Sequence, residues 1–190
     1  MLIKTINPQR GVGMVEVLVA LLLLAIGVLG FTALQLRAVD ATSEALNRIQ
    51  AMNLARDLAE SIRANKNSAA LYQTELNKDT QLSTPVKSCL VTTITSGNGC
   101  SSAEMAKHDT AAIVAKANSL GLKVKMPDCP SMTTTTGEGA DAIIAGKNRA
   151  CVYVAWGKTT PTDVAADSDT ACTKSGSYQL NSQCIIMEAY

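Results

Sequence analysis

Three groups of side chains in this sequence could do chemistry. The first is a single carboxylate, Glu16, standing at the mouth of an apolar run from Val17 to Leu36 whose twenty residues carry no formal charge. A carboxylate at membrane depth costs roughly 2.5 kcal/mol or more, so it needs a cationic partner or a route to the headgroups. The second group is six cysteines, at 89, 100, 129, 151, 172 and 184, all beyond the apolar run. Their even number suits disulfides in an oxidising compartment, with a metal site as the competing reading. There is no CxxC pair and His108 is the only histidine, so zinc-ligand spacing is absent. The third group is scattered. His108, in Ala106-Lys107-His108-Asp109, reads as a solvent-facing helical residue, and Asp163, Asp167 and Asp169 lie in a polar stretch. That acidic stretch could hold calcium, but it misses the EF-hand spacing and reads as a solvated loop. Gly137-Glu138-Gly139 matches no phosphate loop followed by a helix, and Trp156 reads as the lid of a small core. No catalytic set emerges and no cofactor is implied, so the expectation is a protein that is not an enzyme.

Six cysteines allow fifteen connectivities. Nearest-neighbour pairing gives Cys89–Cys100, Cys129–Cys151 and Cys172–Cys184, and this is the expected set. Each closes a loop of roughly ten to twenty residues, worth about 3 kcal/mol if unstrained. Such staples suit a chain whose aromatic content is 3%, with one Trp and one Phe, because its core must be aliphatic and modest.

The elements that position these groups begin with one helix. The apolar run is long enough to cross a bilayer core at about 1.5 Å per residue. Arg37 to Arg63 contains no Gly or Pro and is rich in good helix formers. Leu46, Ile49, Met52 or Asn53, Leu58 and Ile62, mostly three or four apart, predict an apolar stripe against a domain. The whole predicts about fifty helical residues, roughly 75 Å long. Residues 12–36 are its membrane or bundle half and 37–64 its amphipathic half.

Residues 65–190 read as a globular α+β domain. Leu71, Tyr72 and Leu76 suggest a short helix. Ser101 to Ser119 suggests a longer one, with Ser102 as cap and Gly121 as stop. Leu122 to Met126 alternates and predicts a strand ended by Pro127, and Ala150 to Trp156 predicts a second, ended by Gly157. Leu90, Val91 and Ile94 alternate before a Ser96 to Gly99 turn, while Pro130 to Gly146 and Lys158 to Gly176 read as surface loops. Tyr178 to Leu180 and Gln183 to Ala189 complete a small antiparallel sheet with long, disulfide-stapled loops. The formal charge is +1; removing Lys4 and Arg10 from the 17 basic side chains leaves 15 against 16 acidic ones. No basic face stands out, which argues against nucleic-acid binding.

Residues 1–11 carry Lys4 and Arg10 but no apolar core, so the small-residue junction at Gly11 precedes the apolar run, the reverse of a secretory signal. Arg10-Gly11, Val12-Gly13-Met14-Val15-Glu16 and Val17 to Leu22 resemble the class III signal of the type IV pilin and pseudopilin family. The resemblance implies that a prepilin peptidase cuts between Gly11 and Val12 and methylates the new amine of Val12. The family's acidic residue is the fifth of the mature chain, and counting from Val12 makes Glu16 the fifth. A cut after Gly13 would make it the third. The family's usual first residue is Phe, where this chain has Val12. Glu16 to Leu21, Ala25 to Gly30 and Val154 to Gly157 resemble minor pilins of the PilV type, as does a cysteine near the C-terminus.

That resemblance implies a long helix packed on a small sheet, and Glu16 docking onto the N-terminal amine of a neighbouring subunit. It implies a minor pilin that primes or caps a type IV pilus, serving pilus biogenesis, twitching motility, adhesion or DNA uptake. The partners would be the peptidase, other minor pilins, the major pilin, a tip adhesin and, before assembly, inner-membrane lipid. The chain would cross the inner membrane once, with residues 65–190 in the periplasm. A pseudopilin of type II secretion shares the N-terminal pattern, and a membrane-anchored periplasmic binding domain is the reading from another class.

Overall fold

The computed structural model describes residues 11, 13–89, 99–129 and 150–189. The chain divides into two compact units, Met1–Ala45 and Leu46–Tyr190. Helix α1, Met14–Ala64, spans 51 residues. The Gly13 carbonyl starts it by accepting the amides of Glu16 at 2.9 Å and Val17 at 3.3 Å. Gly27 and Gly30 lie within α1 in open space, so they interrupt no packing.

In the first unit every described residue of α1 is exposed, and its first buried residue comes in the second unit, at Ala51. The buried face there is Ala51, Leu54, Ala55, Leu58, Ala59 and Ile62. The expected stripe is therefore right at two of its five positions. Leu58 and Ile62 face the core, whereas Leu46, Ile49 and Met52 stay 53%, 57% and 38% exposed. Alanines supply half of the buried face because small side chains let the helix backbone approach the body closely.

After a 3₁₀ turn at Lys66–Ser68 come α2, Ala69–Leu76, and α3, Ser102–Ser119. Ser101, not Ser102, caps α3. Its hydroxyl accepts the Glu104 amide, and its own amide donates to the Glu104 carboxylate at 2.9 Å, a reciprocal capping box. At the other end Gly121 takes a φ of 69°, which only glycine adopts without strain.

Three strands, β1 (Leu122–Lys125), β2 (Cys151–Trp156) and β6 (Cys184–Glu188), form an antiparallel sheet in the order β1-β2-β6. Strand β2 is central and buried on both faces. Its Val152, Val154 and Trp156 join α1, α2 and α3 in the main core with Tyr72, Leu76, Val114, Leu122 and Ile185. Asn77 ties α2 to β1, donating to the Met126 carbonyl at 2.8 Å and accepting its amide at 3.0 Å.

Between β2 and β6 lies a second sheet, where the sequence suggested only a loop from Lys158 to Gly176. It comprises β3 (Thr160–Val164), β4 (Ala171–Lys174) and β5 (Ser177–Tyr178), in that order. β3 and β4 pair in parallel, an addition to the expected small antiparallel sheet, which β1-β2-β6 supplies. Pro161 and Asp163 hide β3 from a propensity reading, but an edge strand tolerates both. The alternating stretch at Leu90 to Ile94 and the loop at Pro130 to Gly146 fall outside the described residues.

Candidate functional site

The site with the clearest chemistry is the start of α1. Glu16 lies in its first turn, where amides lack intrahelical partners and the helix dipole is positive. The helix begins at Met14, two residues later than a start at Val12 would give. Gly11 is exposed, while Met1 to Arg10 and Val12 fall outside the described residues. Fifteen large apolar side chains between Met14 and Leu36 face outward, among them Leu18, Leu22, Leu29 and Phe31. The helix is long and apolar enough to cross a membrane. An uncovered apolar surface of this extent calls for lipid or for other apolar helices. Within it Glu16 supplies the one formal charge between Met14 and Leu36.

The cysteines form three bridges: Cys89–Cys100, Cys129–Cys151 and Cys172–Cys184, with Cα separations of 5.6, 4.8 and 5.9 Å. All three separations are ordinary for disulfides. The first bridge sits just ahead of α3, the second joins the end of the β1 segment to β2, and the third joins the two sheets.

His108 departs from expectation. Its side chain is only 12% exposed, with Nδ1 buried and 3.6 Å from the Asp109 carboxylate. It does not face solvent, although Ala106-Lys107-His108-Asp109 looks polar on its own. Asp109 instead accepts a 2.5 Å hydrogen bond from the Tyr72 hydroxyl, binding α3 to α2. Burial, then that hydrogen bond, push the Tyr72 phenol well above its ordinary range. Sequence reasoning missed this pair, since 37 residues separate its members.

Two of the three aspartates of the acidic stretch are taken up by local contacts. Asp163 accepts the Gly176 amide at 3.1 Å, and Asp167 pairs with Lys174 at 2.8 Å. Among the described residues no group of three or more His, Cys, Asp or Glu side chains comes together as a metal site. Trp156 is 5% exposed and belongs to the main core.

Comparison with known protein families gives two matches. Residues 6–32 match the prokaryotic N-terminal methylation motif, and residues 33–111 match the Tt1218-like family, described as type IV pilin Tt1218. Together they support a type IV pilin. The methylation motif implies processing by prepilin peptidase and incorporation among pilins. The exposed apolar helix and the motif together support membrane anchoring and pilus incorporation. The match to a pilin family suggests a structural rather than an enzymatic role. No curated protein and no solved structure matches the chain.

Proposed function

We propose that the protein is a minor pilin that primes or caps a type IV pilus, cut after Gly11 and N-methylated on Val12. The observation that carries this reading is Glu16, a lone carboxylate in the first turn of an otherwise uncharged, outward-facing apolar helix. Residues 12–36 serve as a membrane anchor and then as filament core. Residues 37–64 join that segment to a domain, 65–190, that is periplasmic before assembly and displayed on the pilus afterwards. In the filament the Glu16 carboxylate neutralises the N-terminal amine of an adjacent pilin. Inside an apolar bundle an unpaired charge is penalised heavily, so the pair selects one axial register.

Mass spectrometry of the mature N-terminus tests the processing step. The expected species begins at N-methyl-Val12, and an intact chain beginning at Met1 would overturn it. For docking, Glu16→Ala is expected to insert into the membrane normally but to fall out of sheared pili by tenfold or more, since about 1.4 kcal/mol already changes a distribution tenfold. Normal incorporation of that variant would sink the pairing. Deleting the gene separates pilus from secretion pseudopilus: loss of surface pili is expected, and loss of exoprotein release with pili intact would replace this reading.

A further inference from the structure

The body has two cores, and they are built from different materials. The main core is aliphatic and takes α1, α2, α3 and one face of the β1-β2-β6 sheet. The other face of β2 contributes Cys151, Tyr153 and Ala155 to a small cluster completed by Cys172 and Cys184, with Cys129 and Ile186 packed beside it. Cys172 is the residue of the second sheet in this cluster, so its bridge to Cys184 ties β4 to the first sheet, while β3 packs separately on β1 and β2.

The second sheet is an excursion of residues 157–183 between adjacent strands. Its ends are pinned together: the Trp156 amide donates to the Gln183 carbonyl at 2.9 Å, and the Gln183 amide donates to the Thr159 hydroxyl at 2.9 Å. Lys123 adds bonds of 3.1 Å to the Gly157 and Thr159 carbonyls. Beyond these ends the excursion offers the body little apolar surface. Its buried residues are Thr159, Pro161, Ala171, Cys172 and Thr173, none a large aliphatic, while its larger apolar side chains Tyr178 and Leu180 are 58% and 103% exposed. Further ties are the packing of β3 on β1 and β2 and hydrogen bonds from the Ile186 amide to the Tyr178 hydroxyl at 3.1 Å and between the Tyr153 and Thr173 hydroxyls at 3.4 Å. Cys172–Cys184 is the one covalent anchor in its middle.

We propose that residues 157–183 form a redox-locked flap, held shut by Cys172–Cys184 and opened by a dithiol reductant while the rest of the body stays folded. One thiolate of the reductant attacks a sulfur of the bridge, forming a mixed disulfide and releasing the other cysteine as a thiolate, which takes up a proton. The second thiol of the reductant then closes its own disulfide and releases the remaining cysteine. The protein bridge gains two electrons and two protons, and the reductant is oxidised by the same amount. Cys172 has no exposed surface and Cys184 is 9% exposed, so exchange passes through local opening of the flap. The β2–β6 pairing does not depend on the flap, because its ladder from Cys151↔Glu188 to Ala155↔Cys184 is complete without it.

Hydrogen exchange on the full chain in detergent, read peptide by peptide, tests the flap. In Cys172→Ala/Cys184→Ala, amides between Thr160 and Tyr178 are expected to exchange faster by at least roughly tenfold, while α3, β2 and β6 keep their protection. Unchanged protection in the flap, or loss of protection throughout the body, overturns the proposal. Cys89→Ala/Cys100→Ala is the control and is expected to leave the flap protected; acceleration of the flap there also overturns it. Should the first variant fail to fold, the wild-type chain treated with limiting dithiothreitol gives the same reading in the fraction that peptide mapping shows to be reduced at Cys172–Cys184 alone. Selective exchange in the flap, reversed on reoxidation, is expected, and uniform unfolding would refute it.

Discussion

Helix α1 carries similar apolar residues in the first unit and in the second, yet they meet opposite fates. Leu18, Leu22 and Leu29 are exposed; Leu54 and Leu58 have no exposed surface at all. Burying a leucine fully is worth about 1.5–3 kcal/mol, so the second stretch stabilises the subunit while the first contributes nothing to it in isolation. The apolar side chains of the first stretch are therefore free to stabilise an association, first with lipid and then with other helices. The contrast separates folding from assembly along one element.

The largest effect that can break this contrast is a pair of truncations. Leu58→Ala is expected to destabilise the body by about 2–5 kcal/mol, because it removes buried methyl groups and leaves a cavity in the main core. Leu22→Ala is expected to shift the same unfolding transition by less than about 0.5 kcal/mol, as an exposed position away from special features does. Denaturant unfolding of both variants in one detergent provides the measurement. Comparable losses would mean that the first stretch packs on the body after all.

How much of this contrast can be read from sequence depends on what each residue type advertises. The helix is readable because Arg37 to Arg63 has neither Gly nor Pro and the apolar run before it is uncharged. Which face is buried is not readable from periodicity alone. Leu46, Ile49 and Met52 repeat as convincingly as core residues, whereas Ala51, Ala55 and Ala59, which do the packing, carry weak hydropathy. A pattern shows that a face is apolar, not whether its cover is the same chain or another. β3 escaped for a different reason: Pro161 and Asp163 disfavour strands, and its only positive signal was the β-branched Thr160, Thr162 and Val164. Tyr72 and Asp109 meet across 37 residues of sequence, and no local pattern encodes such a pair. At the candidate site, Glu16 was readable because a single charge against an apolar background needs no tertiary information.

A smaller effect sharpens the comparison at the two helix starts. α1 begins with only the Gly13 carbonyl accepting its first amides, whereas α3 begins with a full capping box. Ser101→Ala is expected to cost about 1 kcal/mol of body stability through the lost cap. Met14→Ala is expected to leave it unchanged, since Met14 is 89% exposed in the other unit. Equal effects in thermal unfolding would contradict the assignment of α3, and not the start of α1, to the folding of the body.

The smallest expected effect is a pH dependence confined to the α3 cap. The Ser101 amide, then the Lys87 ammonium and the Ser101 hydroxyl, hold the Glu104 carboxyl down to about 2 from an ordinary value of 4.5. Lys87 lies 3.0 Å from it. A carboxyl whose folded value is depressed binds its proton more readily in the unfolded chain, so stability contributed by the ionised form is present above the ordinary value and drains away as pH falls. The window therefore runs from about pH 4.5 down to about pH 2. Wild type should exceed Glu104→Gln in stability at pH 6, and the gap should close across that window. The Glu104 side chain is 41% exposed and reached by solvent ions, so the gap should also shrink in high salt, which a buried origin would resist. A gap that persists at pH 2 would show that the glutamine variant disturbs the cap by geometry, and would remove the charge of Glu104 from the account of how α3 starts.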